Sequence, residues 1–424
     1  MLANYFFFCS LFFILGIVFK YYFPYYWFYF VFLSLVFSKR FIFVVFLVLS
    51  FYLGGFYLSF FEEISKDGYI KIIRELPPSE KNIKYLASLN GKNYILYYPI
   101  YNESLYPYDR LKVDGKILEN KIFVKKVLEK KPSQFRKIYF LKEKLNNLIK
   151  ETYSLNTSEI IKGLLYGEEI SDNQLRSNFQ KSGLSHLTAM SGYNLTILSV
   201  FWFKICNLIP LNFLFRNLLA LILIFIFVIF ANFQSSVVRA FLMISVLILG
   251  KVIGRPCLTR NLIIFSLLVI SLFNPKAILE DIGFQLSFLA TIGILYFSEI
   301  IEKNFKSKLV SEILSSQIFV MPLILYKFGN FNPFAILSNL IIVPIVPILM
   351  ILGLFAIIFY FLHPLNYIFN IPFEIFSYLI YLFSTFPEIY LNLPLWFLFF
   401  IYAYLFYYIF MKQKNEKIDF NFSY

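Results

Sequence analysis

The sequence predicts a polytopic α-helical membrane protein with a small β-barrel, OB-fold-like in its strand count, inserted on the extracytoplasmic side. Three observations predict it. Of 424 residues, 59% are hydrophobic and only 15% are charged, too little polar surface for a soluble chain of this size. The apolar residues gather at the N-terminus and through the second half, in runs long enough to cross a hydrocarbon core of about 20 helical residues. The single charged segment, 62–160, changes its periodicity from two to that of a helix. A soluble enzyme and a disordered chain are excluded. The 56 Phe, the 32 Tyr and part of the +14 net charge follow AT-rich codon usage and carry little weight alone.

Residues 1–61 form the N-terminal transmembrane segments. Leu2 to Phe19 and Phe41 to Phe61 are spans, and Tyr21 to Phe37 is a shorter apolar run. No basic residue precedes the first run and no small-residue cleavage site follows it, so it is not read as a cleaved signal. Lys39 and Arg40 place the intervening loop in the cytoplasm by the positive-inside tendency, which puts the segment after Phe61 outside.

Within 62–160 there are 19 Lys and Arg against 13 Asp and Glu. Residues 62–133 are assigned to the barrel. Tyr69 to Arg74, Asn82 to Leu89, Lys92 to Tyr98, Arg110 to Val113 and Lys116 to Leu118 read as short strands, continued by Ile122, Val124 and Val127. Asn90-Gly91 and Asp114-Gly115 read as hairpin turns. Residues 134–184 read as amphipathic surface helices: Phe135 to Thr152, Ser158 to Gly167, and a third opened by a capping box at Ser171 to Gln174.

Residues 185–411 form the main membrane domain, with spans centred near 198, 221, 244, 266, 290, 318, 345, 378 and 402. Seven to nine crossings are expected. Prolines 322, 333, 344, 347, 364, 372, 387 and 394 predict kinked or broken helices, tolerated where protein or water lines them. Lys412, Lys414 and Lys417 make residues 412–424 a basic cytoplasmic tail.

Polar side chains inside apolar runs cost about 2.5–3.5 kcal/mol per charge on insertion scales and usually face a bundle interior or a water-filled path. Here they are His186, Ser191 and Asn194, then Asn232 to Ser236 with Arg239, then Asp281, Gln285 and Ser287, with Gln317 and Asn339 alone. Each has a plainer reading. Ser191-Gly192 permits close helix packing, Arg239 snorkels to headgroups, Asp281 complements a helix N-terminus, and the lone amides bond between helices. Together they point to a conducting or substrate-handling core. Cys9, Cys206 and Cys257 include no CxxC pair, and with His186 and His363 as the only histidines no metal centre and no cofactor is expected.

Three blocks in order resemble the ComEC family of DNA-uptake membrane channels. Gly163-Leu-Leu-Tyr-Gly167, with Leu175-Arg176, Phe179, Ser182-Gly183 and SHLTAMSGYNLTIL at 185–198, resembles the family's competence motif. VVRAFLM at 237–243 with GRP at 254–256, and Glu280 to Phe288, resemble its next two elements, and 321–346 also fits. Asn194 stands where the family pattern has histidine, which removes a proton-transfer role there. The chain lacks the C-terminal metallo-β-lactamase-like domain of many relatives and is read as a short form without a zinc nuclease.

The resemblance implies inward passage of single-stranded DNA through the cytoplasmic membrane during natural transformation, without covalent chemistry. His186, Ser191, Asn194, Arg239, Asp281 and Gln285 would line the path. On the barrel, Lys71, Arg74, Arg110, Lys112 and Lys125 would gather the polyanion while Tyr69, Tyr94, Tyr97 and Tyr98 stack bases. Membrane lipid is a partner, and a DNA receptor, a separate nuclease and a cytoplasmic motor are implied by resemblance only. The alternative is a polysaccharide polymerase or ligase type glycosyltransferase, which needs catalytic external residues, and 62–160 contains no histidine. A small-solute transporter would show inverted repeats, and no convincing match between the halves is seen.

Overall fold

In the first unit, alternation of apolar and polar residues builds five strands: β1 (Ile70–Leu76), β2 (Asn82–Leu89), β3 (Lys92–Pro99), β4 (Arg110–Leu118) and β5 (Lys121–Lys131). They come from a computed structural model that describes residues 10, 13–18, 20–21, 50, 53–54, 69–76, 82–89, 92–99, 105–118, 120–188, 191–254, 259–275, 277–359, 363–391 and 393–416. The chain divides into two units, 1–140 with 238–282 and 141–237 with 283–424, each described here by itself. The strands pair in a closed ring, β1-β2-β3-β5-β4 and back to β1, antiparallel except for β3 with β5.

Every second side chain points inward, and Ile70, Ile72, Tyr85, Ala87, Leu96, Tyr98, Leu111, Ile122 and Val124 form the ring's core. Asp109, fully buried, closes one end: its carboxylate accepts from Ser133 N at 2.7 Å and Tyr106 N at 3.0 Å. Two expectations change. Asp114-Gly115 is not a turn, because β4 runs through it with register shifts at Lys112/Val113 and Asp114/Gly115. A Cβ on Gly115 would lie 2.3 Å from the Phe123 carbonyl oxygen, so the glycine serves a bulge and a close strand approach. Tyr98 belongs to the core and cannot stack a base, and Tyr94 packs half-buried against that core. The Asn90-Gly91 turn, the Lys39-Arg40 loop, Cys9, Cys257 and the His363 side chain lie outside the described residues.

The helices follow: α1 (Arg136–Thr152), α2 (Leu155–Tyr166), α3 (Asn173–Lys181), α4 (Ser185–Thr188), α5 (Gly192–Asn207), α6 (Phe213–Phe230), α7 (Ser235–Ile253), α8 (Thr259–Phe273), α9 (Ala277–Glu280), α10 (Ile282–Phe305), α11 (Lys308–Phe328), α12 (Ala335–Ile342), α13 (Val346–Ile358), α14 (His363–Ser384) and α15 (Leu395–Glu416). Among the described residues, six segments are long and apolar enough to cross a membrane, at 213–230, 235–253, 282–305, 308–328, 335–358 and 366–384. Asn261–Phe273 and Trp396–Ile409 are shorter apolar helices. The chain is a polytopic helical membrane protein. Pro322 and Pro372 lie inside continuous helices, whereas Pro344 sits in a 3-10 turn, Val343–Ile345, that joins α12 to α13.

The second unit is organised around α2, which differs from the expected surface helix. Residues Thr157 to Tyr166 are all buried, packed among α4, α6, α13 and α14. On α13, Gly353 faces Leu165 and Ile161, where a Cβ would make ordinary contact at 3.5–3.7 Å. Asp172, not Ser171, caps α3, accepting from Leu175 N at 2.6 Å. Asn332 donates to the Lys181 carbonyl at 2.6 Å and Ser338 to the Ser182 carbonyl at 2.8 Å, fastening the end of α3 to α12. Gly183 lies between them at φ +73°, and a Cβ there would meet the Ala335 Cβ at 2.5 Å. Asn339 bonds its own helix at the Ala335 carbonyl, not a neighbour.

Candidate functional site

Two polar constellations stand out, one in each unit. In the second unit the first turn of α5 is locked to the last turn of α2. The Ser191 hydroxyl accepts from Asn194 N at 3.2 Å as the helix cap and donates to Asn194 Oδ1 at 3.1 Å. Asn194, fully buried, donates through Nδ2 to the Leu164 carbonyl at 3.3 Å. That carbonyl lies in the final turn of α2, where no backbone donor within the helix remains. Gly167 ends α2 in the left-handed conformation, and Gln234 donates to its carbonyl at 3.3 Å. The polar residues of this motif therefore stitch helix ends together.

Beside it lies an ionic network that sequence reasoning missed. Lys142 on α1 is buried, with its ammonium 3.0 Å from Glu168 and donating to the Phe230 carbonyl, the last of α6, at 2.7 Å. Asn146, one turn on, donates to the same carboxylate at 2.7 Å. Burial acts to raise the Glu168 pKa, but Lys142 and Asn146 outweigh it and hold the carboxyl below its ordinary range. A second buried pair, Glu159 with Lys162, receives Ser171 N at 2.6 Å. The i,i+3 spacing of 159 and 162 was visible, yet charges in a polar-looking segment read as surface residues until their partners are known.

The other predicted path residues lie on different elements. His186 on α4 keeps an exposed face, while the surrounding atoms push its imidazole down to about 4 against a hydrogen bond with the Gly183 backbone. From there or from its ordinary value it is mostly neutral at pH 7. Gln285 is half-buried on α10 in the second unit. Arg239, buried in α7, and Asp281, half-buried between α9 and α10, belong to the first unit. Of the six, Ser191 and Asn194 are joined by hydrogen bonds.

On the strand ring, Lys71 of β1 lies directly opposite Arg110 of β4, and Arg110 opposite Lys131 of β5. Three cations on neighbouring strands share one face. Like charges placed so are unfavourable for the free sheet. Burial, then the Arg110 charge, lowers the Lys71 pKa. Its ammonium lies 4.6 Å from the Tyr108 ring centroid and that of Lys131 4.4 Å from the Tyr69 ring. Glu129 is engaged here, accepting from the Tyr69 hydroxyl at 2.6 Å and pairing with Lys131 at 3.4 Å. Lys112 opposes Glu129 in register, Arg74 is half-buried further along β1, and Lys125 is exposed further along β5. Lys131 and Tyr108 join Lys71 and Arg110 only through strand register, which no local pattern reveals. Among the described residues no group of three His, Cys, Asp or Glu could hold a metal.

The Competence family model, described as competence protein, matches residues 164–415, more than half the chain. It covers the α2–α5 lock, Arg239 and Asp281, and excludes the strand ring. ComE operon protein 3 of Bacillus subtilis (strain 168) is 27% identical over 217 residues, covering 50% of this chain and 28% of that protein. The chain thus spans under a third of the curated relative it matches. No solved structure matches.

Proposed function

The chain belongs to the competence protein family, and from that premise we propose that it conducts single-stranded DNA into the cytoplasm during natural transformation. The strand ring is the external OB-like barrel and receives the strand. The observation that carries this role is the alignment of Lys71, Arg110 and Lys131 over Tyr69 and Tyr108. A phosphate backbone supplies counter-charge to this row, and the phenol rings hold the Lys71 and Lys131 ammonium groups against their faces at the surface. The ring order with one parallel pair supports the OB-like reading.

In the membrane, Arg239 meets phosphates, His186 and Gln285 replace lost hydration as neutral groups, and Asp281 orients cations or closes the path. Ser191 and Asn194 act one step removed. Their hydrogen bonds are used within the α2–α5 lock, so they position the path's helices. The basic loop at Lys39-Arg40 and the tail lysines support a ring outside and a C-terminus inside the cytoplasmic membrane. A DNA receptor, a separate nuclease and a cytoplasmic motor complete the route.

Full-length protein in liposomes tests this with an end-labelled oligonucleotide outside and nuclease added afterwards. Nuclease-protected label dependent on the protein, and lost with Arg239→Ala, is the expected result. Label that binds but is wholly digested would overturn the conduit.

A further inference from the structure

The β4–β5 hairpin has two unlike ends. Its base carries Arg110 and Lys131, and its tip, about 25 Å away by strand rise, carries Ile117, Leu118 and Phe123. Ile117 is 55% exposed, Leu118 59% and Phe123 36%, outside the ring's core. Lys116, Lys121 and Lys125, all exposed, surround them. Lys116 pairs in register with Phe123 and Leu118 with Lys121, so apolar and cationic side chains share the tip's surface. Leu118, Phe123, Val124 and the stems of Lys116 and Lys125 line a hollow of about 240 Å³.

Exposed aliphatic side chains on a charged domain mark a binding surface. Ile117 and Leu118 have no π-face to stack a base, and one face of the Phe123 ring is already covered by Tyr97 of β3, their centroids 4.7 Å apart. An apolar tip ringed by lysines matches a bilayer surface: side chains enter the acyl boundary while ammonium groups meet headgroup phosphates. The chain already keeps the ring near a membrane, since only eight residues separate Phe61, the end of an apolar run, from Ile70. A tether that short makes even weak lipid contact effective. We propose that the tip of the β4–β5 hairpin docks on an anionic phospholipid surface, holding the ring against the membrane with its cationic base turned elsewhere.

The test uses the full chain with Cys9, Cys206 and Cys257 replaced by alanine and a nitroxide on Leu118→Cys, reconstituted in vesicles with or without phosphatidylglycerol. Expected is a several-fold loss of collisions with a water-soluble nickel complex, a gain with oxygen, and reversal when the anionic lipid is omitted. Nickel accessibility equal to that of a nitroxide on Asp114→Cys in both vesicles would overturn the proposal. So would protection that appears only with added oligonucleotide, which makes the tip a DNA surface, or only at high protein density, which makes it a contact between copies. If the cysteine-free chain fails to fold, hydrogen exchange of the natural chain in nanodiscs replaces it. Slower exchange over 116–123 in anionic discs sustains the proposal, and equal exchange in both lipids refutes it.

Discussion

The strand ring and the helical unit handle charge in opposite ways. On the ring, Lys71, Arg110 and Lys131 stand side by side at the surface. Around α2, Lys142 and Lys162 are buried, each against a carboxylate. Buried opposite charges hold a particular arrangement at a high desolvation cost and leave nothing to offer a ligand. Exposed like charges do little for the fold and favour a polyanion. The chain's basic excess therefore divides into cations that fasten helices and cations that stand exposed on the ring.

Breaking one member of the buried network should have the largest effect. Lys142→Met leaves Glu168 and the Phe230 carbonyl without their cation, at about 3–5 kcal/mol for a buried pair, nearer the lower figure because Glu168 keeps some exposure. Hydrogen exchange should show protection lost across 141–237 while 70–131 is unchanged. Gly183→Ala comes next, with left-handed strain of about 1–3 kcal/mol and a collision with Ala335. Its melting temperature in detergent should fall, and equal stability would mean that the α3–α12 junction is loosely packed.

Lys71→Ala with Arg110→Ala sharpens the contrast from the other side. Stability should stay within about ±0.5 kcal/mol of the parent, while the salt dependence of oligonucleotide binding loses about 0.7 per phosphate contact removed. A stability loss without a change in salt slope would make these cations structural. The smallest effect is acidic. Glu168, held below its ordinary value of 4.5, contributes stability that is present above that pH and lost as pH falls through its depressed folded value. Melts from pH 7 down to about 3 should show this loss, and Glu168→Gln should flatten it.

Much of this was legible beforehand. Strand periodicity located β1, β2 and β3 closely but divided β4 in two and left β5 as a continuation, and apolar runs located the six long apolar segments. Short-range patterns misled where one residue pair serves two geometries: Asp114-Gly115 suits a turn, yet here it forms a bulge against Phe123. Alternation along β3 distinguishes Tyr97 from the inward Tyr98, although both carry the same phenol side chain. The α2 helix was read as a surface element because Glu159, Lys162, Thr157 and Ser158 look solvated until their burial is seen. The cation row on the ring depends on pairing between strands distant in sequence, so no window of sequence contains it.

Inward passage of DNA is read out by cellular import. Cells with the gene deleted, and the same cells carrying the parent gene, receive end-labelled DNA, and surface-bound label is scored apart from nuclease-protected label. Deletion should leave surface binding intact and abolish protected label, which the parent gene restores. Protected label that persists after deletion would mean that DNA enters by another route.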